Sequence, residues 1–210
     1  MFNPPSNWIL CKDPAVPPPL FLGYDDLKDL LDWVKSSTTE VFVILGQPKE
    51  PMAVQLSGLS GVLQKLIEAN ARLWRFEDEC RRFAASGVTL AELGECKQKI
   101  DSCNRLRVQT INELDRWLMP NRQPSSVREH YASETLGQLL DRLVIATLKQ
   151  TALRERSVHG GAVELVERQR QYLETVFYHH HDGFWCAELQ PPPAGQVKFY
   201  RSQLQIDPTL

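Results

Sequence analysis

The sequence predicts an all-α protein, an antiparallel four-helix bundle of long helices with an irregular, proline-rich N-terminal extension. Three observations carry that prediction. Four long stretches repeat apolar residues at three- and four-residue spacing, which is the signature of amphipathic helices. The breaks between them are short or rich in Gly and Pro. One stretch, Ser133 to Lys149, is apolar around most of its circumference, as a helix surrounded by others must be. Two long helical hairpins closed by turns give an antiparallel bundle.

The 210 residues suffice for one large domain with a substantial core. Residues 1–22 hold six prolines and read as irregular, with Trp8, Ile9 and Leu10 available to pin the arm. Tyr24 to Lys35 reads as a short helix with Leu27, Leu30, Leu31 and Val34 on one side. The β-branched, apolar Glu40 to Gly46 reads as a buried strand without an evident partner. Residues 1–52 are therefore assigned to the extension, and 53–210 to the helical bundle domain with a C-terminal tail.

The second helix is expected over Ala53 to Phe83, with Leu59, Val62, Leu63, Leu66, Leu73 and Cys80 on one stripe. The third is expected over Thr89 to Leu118, where Thr89 and Glu92 make a capping-box pattern. Its stripe holds Leu93, Cys96, Ile100, Cys103, Ile111, Leu114 and Leu118. Residues 119–132 are a polar, breaker-rich connection. Ser133 is the expected N-cap of the fourth helix, with Glu134 at the positive end of its dipole. Gly160 and Gly161 turn the chain into a fifth helix ending near His180, with Leu165, Val166, Tyr172, Leu173, Val176 and Phe177 inward.

Polar residues sit inside these stripes. Asn70 and Glu77 interrupt the second, Asn104 and Arg107 the third, Glu134 and Asp141 the fourth and Gln169 the fifth. Asp101 and Arg142 join them as candidates, Arg142 pointing away from the main stripe as a snorkelling side chain. Folding the second helix onto the third about Ser86 and Gly87 brings Asn70 level with Asn104, with Arg107 one turn away. A buried charge left unpaired costs several kcal/mol, so these groups must pair or meet water. Two readings stand: a polar network that fixes helix register, or the lining of a ligand pocket in which Arg107 holds an anionic group and Glu77 or Asp141 serves as acid or base. No residue is assigned as catalytic.

Composition excludes other classes. A net charge of −2 provides no field for nucleic acid. No run of about 18 apolar residues spans a membrane. The N-terminus lacks the basic and apolar regions of a signal peptide. Cys11, Cys80, Cys96, Cys103 and Cys186 are odd in number and lack paired CxxC spacing, which argues against a disulfide framework or a zinc site and suits a cytoplasmic protein. A dinuclear metal bundle needs Glu-x-x-His pairs, which are missing. Consecutive His179, His180 and His181 point about 100° apart and read as a helix end meeting solvent, although Asp182 and Cys186 lie near. Asp115 to Trp117 reads as a packing edge. Phosphate-loop, GxSxG and HExxH motifs are absent, and no cofactor is implied.

Four stretches together resemble a bacterial helical family known only as a domain of unknown function. Leu73-Trp74-Arg75-Phe76-Glu77-Asp78-Glu79 is similar to its Leu-Trp-His-Leu-Glu-Asp-Glu stretch. Lys99-Ile100-Asp101 with Asn104 and Arg107, running on to Glu113-Leu114-Asp115, resembles its Ile-Asp, Asn and Arg pattern. Ser133-Glu134-Thr135 through Asp141-Arg142-Leu143 looks like a third element, and Phe199-Tyr200-Arg201 with Asp207-Pro208-Thr209-Leu210 is similar to its tail. The resemblance covers about residues 60–210, and the family's histidine beside the tryptophan is Arg75 here. It implies a small helical protein encoded near glycosyltransferases for surface polysaccharide or lipopolysaccharide. The expected function is a non-catalytic accessory to such glycan-assembly proteins; the rival is a small-molecule-binding protein or enzyme using the polar core. A homodimer is a third reading, resting on Leu106, Trp117 and Phe76.

Overall fold

In the computed structural model, residues 22–45, 58–87, 89–119, 130–156, 160–186 and 189–190 are described. The proline-rich arm, most of the 119–132 connection and the C-terminal tail lie outside them. The chain is all-helical: α1 (Tyr24–Leu45), α2 (Gly58–Ser86), α3 (Leu90–Leu118), α4 (Leu136–Glu155) and α5 (Gly161–Trp185). A two-residue parallel pair, β1 (His130–Tyr131) and β2 (Leu189–Gln190), ties the entry of α4 to the exit of α5.

Helix α1 departs most from the expected arrangement. Glu40 to Leu45, read as strand, is the end of a single 22-residue helix. The apolar stripe Leu27, Leu31, Val34 continues at helical spacing through Thr38 to Phe42, all buried. The intervening hydroxyls bond back one turn: Ser36 to the Asp32 carbonyl at 2.9 Å, Thr38 to Val34 at 2.6 Å and Thr39 to Lys35 at 3.1 Å. Side chains that favour strands are thus carried in a helix because one face is buried. Leu27, Leu30, Leu31 and Val34 enter the same apolar core as Leu59, Leu63, Leu140 and Leu143, so five helices, not four, build it.

Helix α4 packs against all four other helices, in keeping with its nearly all-round apolar sequence. Its N-cap is Thr135 rather than Ser133. The Thr135 hydroxyl accepts from the Gln138 N–H at 3.2 Å, and the Gln138 side chain accepts from the Thr135 N–H at 2.9 Å. Glu134 consequently precedes the helix. The capping box of α3 forms as the sequence indicates, Thr89 with Glu92.

Helices α2 and α3 fold back on each other through Gly87, whose φ of +71° is the left-handed conformation that favours glycine. Their far ends leave the main core and make a satellite cluster of Leu73, Cys96 and Ile100 with Phe76, Cys80, Phe83 and Cys103. Helix α5 continues past His180 to Trp185. His181 is buried within it rather than meeting solvent, and the Trp185 indole N–H donates to the Leu118 carbonyl at 3.2 Å, closing the end of α3. Leu165 and Tyr172 are 67% and 64% exposed; the inward line of α5 is Val166, Leu173, Phe177, His181 and Phe184. Trp117 is buried and Phe76 packs in the satellite cluster, which leaves Leu106 as the exposed member of that trio.

Candidate functional site

The polar core assembles where α2, α3 and α4 meet. Asp141 on α4 and Asn70 on α2 are only 2% and 3% exposed. Arg107 on α3 grips Asp141 with two parallel bonds, Nε to Oδ1 at 2.7 Å and Nη2 to Oδ2 at 2.9 Å. This fork-to-fork geometry is the strong form of the Arg–carboxylate pair. The Asn70 amide donates to Asp141 Oδ1 at 3.0 Å and to the Leu66 carbonyl at 3.1 Å. Asn104, one turn before Arg107, accepts from its Nη1 at 3.4 Å. Asn70, Asn104, Arg107 and Asp141, four of the sequence-predicted residues, thus form one connected network across three helices.

The other candidates lie elsewhere. Glu77 is half-buried as a residue, with its side chain reaching out to pair with Arg81 at 3.3 Å. A stripe repeating every seven residues drifts about 20° per heptad around a straight helix. By Glu77, α2 has also passed beyond the main core, its last buried residue being Leu73. Asp101 is exposed and pairs with Lys97 at 2.9 Å. Glu134 and Arg142 pair with each other outside the network. Gln169 is exposed on α5.

Two residues beside the network carry structure that sequence reasoning missed. Asp115, read as part of a packing edge, reaches from α3 to the start of α4, where its Oδ1 accepts from the Gly137 N–H at 2.7 Å. It is a cap supplied by a neighbouring helix. Burial pushes its carboxyl up to about 6, against hydrogen bonds from the Gly137 backbone and the Thr135 side chain that hold it down. Gly137 permits that approach: a Cβ there would stand 2.6 Å from the Ile111 carbonyl oxygen and 2.8 Å from Asp115 Oδ1. A glycine in the first turn of an otherwise apolar helix, opposite an acidic residue near the end of α3, was the available signal. Gln150, also unforeseen, is buried on α4 and donates to Glu167 of α5.

The histidine tract does not gather around a single point. His181 Nδ1 lies 3.5 Å from Asp182, and burial holds the His180 and His181 pKa values below the usual histidine range. Among the described residues no group of three or more His, Cys, Asp or Glu side chains is arranged to hold a metal ion. Among them, too, no helix is long and apolar enough to cross a membrane.

A separate cleft of about 790 Å³ opens between the C-terminal part of α1, the C-terminal half of α2 and the end of α4. Phe42, Trp74, Arg75, Arg82 and Glu155 are among the residues that line it.

No curated protein and no solved structure matches this chain. Residues 60–186, more than half of the chain and spanning the whole polar junction, match the family described as Protein of unknown function (DUF4254), and the chain belongs to that family.

Proposed function

We propose that the chain is a non-catalytic helical accessory protein that works in the cytoplasm through its surface. Its partners in this reading are glycan-assembly proteins, the glycosyltransferases of surface polysaccharide or lipopolysaccharide among them. The fold that presents the surface is an antiparallel four-helix bundle of α2 to α5, with α1 added as a fifth helix. One observation supports the non-catalytic reading: the polar junction is closed upon itself. Both Asp141 oxygens and three Arg107 nitrogens are engaged within the protein, so a substrate would have to break a buried bidentate pair to use either group. The partner class rests on the gene neighbourhood that the family resemblance implies.

Affinity capture of the tagged chain from its native host tests this reading. Recovery of a glycosyltransferase or sugar-nucleotide enzyme, lost when exposed residues such as Leu165 and Tyr172 are changed to Ser, is the expected result. Repeated capture without any glycan-assembly protein counts against it. The alternative, a binding protein or enzyme using the polar core, expects Arg107→Ala to abolish ligand binding while the fold survives. The network reading instead expects a stability loss of about 3–5 kcal/mol from the stranded Asp141.

A further inference from the structure

We propose that the cleft beside Arg75 is a binding site for a small organic oxyanion, a phosphate or carboxylate carried on a flat ring. It is distinct from the polar junction and does not depend on the accessory role. The cleft's volume of about 790 Å³ falls within the range of small-ligand sites. Phe42 and Trp74 supply aromatic surface to it, and Arg75, Arg81, Arg82 and Arg156 supply guanidinium groups.

Arg75 is the group that points to an anion. Its Nη2 donates to the Phe42 carbonyl at 2.8 Å, and its guanidinium lies 5.6 Å from the centre of the Phe42 ring. Phe42 is within the last turn of α1, so this bond closes one open carbonyl of that helix end and fixes the side chain. It uses one of five N–H donors. The Arg75 Nε is buried and has no hydrogen-bond partner among the described residues. Buried donors are ordinarily satisfied, so an unmet one in a ligand-sized cleft marks a place for an acceptor.

The neighbouring charges are disposed differently. Arg81 and Arg156 both reach Asp78, and Arg81 also reaches Glu77, so those two cations are already neutralised. Glu155 attracts Arg75 only through space. Arg82 stands exposed on the rim without an ion pair among the described residues. Glu155 and Glu79 also line the cleft, so Arg75 and Arg82 are its two cations without a contact ion pair among the described residues, and what they offer an anion is directed N–H donors more than net charge. The Trp74 side chain, half-buried and edge-on to Phe42, offers the ring of the ligand an apolar face. An inorganic ion would leave that face unused, and a neutral ring would leave the buried N–H unmet.

The test is titration calorimetry on the full chain at low ionic strength, with phenyl phosphate, benzoate, inorganic phosphate and benzyl alcohol as probes. Saturable binding of phenyl phosphate or benzoate, tighter than that of the two fragments, is expected, and whichever binds more tightly tells phosphate from carboxylate. Arg75→Gln is expected to weaken it about tenfold, the size of a lost charge-assisted hydrogen bond. Arg82→Ala should weaken it several-fold with unchanged circular dichroism. Should Arg75→Gln prove poorly folded, Arg82→Ala decides, because it removes an exposed side chain. No saturable heat with either ring-bearing anion, or equal affinity in wild type and Arg82→Ala, overturns the proposal.

Discussion

Arg107 and Arg75 are both half-buried between helices, and their surroundings could hardly differ more. Arg107 faces a buried carboxylate in bidentate register, flanked by Asn104 on its own helix and by Asn70 on α2. Among the described residues Arg75 meets one backbone carbonyl and the face of a phenylalanine, and its buried Nε–H has no acceptor. A charge closed by its own protein holds helices in register; a charge left half-satisfied at a cleft is poised to recognise something else. The distinction lies in the partner, because both residues are half-buried arginines on long amphipathic helices.

The comparison can be broken most directly at Asp141. Asp141→Ala strands Arg107 between three helices and is expected to cost about 3–5 kcal/mol in chemical denaturation. Replacing both partners by leucine should recover most of that loss, since the penalty comes from the unmatched charge. If Asp141→Ala costs less than 1 kcal/mol, the junction is not what holds the helices in register.

Next in size is Gly137→Ala. The added methyl would press on the Ile111 carbonyl and on Asp115, forcing α3 and α4 apart at the edge of the junction. Overpacking of this kind costs about 1–3 kcal/mol. A neutral result would mean that the helices separate freely there.

Asp115 sharpens the comparison from the other side, as a buried carboxylate met by a helix N-terminus instead of a cation. Its pKa is raised to about 6 in the fold, above an unfolded value of about 4. Folding therefore favours the protonated form. The stability this contributes is fully present below about pH 4 and is lost as pH rises through about 6. The melting temperature of wild type minus that of Asp115→Asn should fall by a few degrees between about pH 4 and pH 7. A difference that stays flat would show an unperturbed carboxyl.

The smallest expected effect belongs to Arg75→Gln, which removes one donor from a helix-end carbonyl and should cost about 1 kcal/mol. A loss as large as that of Asp141→Ala would make Arg75 a structural arginine and erase the contrast.

Part of the junction was legible without coordinates. Asn70, Asn104, Arg107 and Asp141 sit at the centres of apolar stripes, and burial obliges such groups to find one another. The same logic misplaced Glu77 and Gln169, because a stripe says which side of a helix is apolar but not how far along it the neighbours extend. Past Leu73, α2 has little besides α3 to cover it, and the seven-residue repeat carries Glu77 out to Arg81. Asp115 and Gly137 escaped notice because their partnership spans two helices and depends on how closely the backbones approach.

The sequence by itself determined the helical class, the turn at Gly87, the Thr89 capping box and the central position of α4, since each follows from local chemistry or from a periodic pattern. Only the tertiary structure decided that α1 runs on to Leu45 and joins the common core. There, burial of Thr38 and Phe42 outweighs the strand preference of the residues around them. It also decided which charges meet. Pairing is a property of distances between helices, and those are fixed by packing that no single stretch of sequence contains.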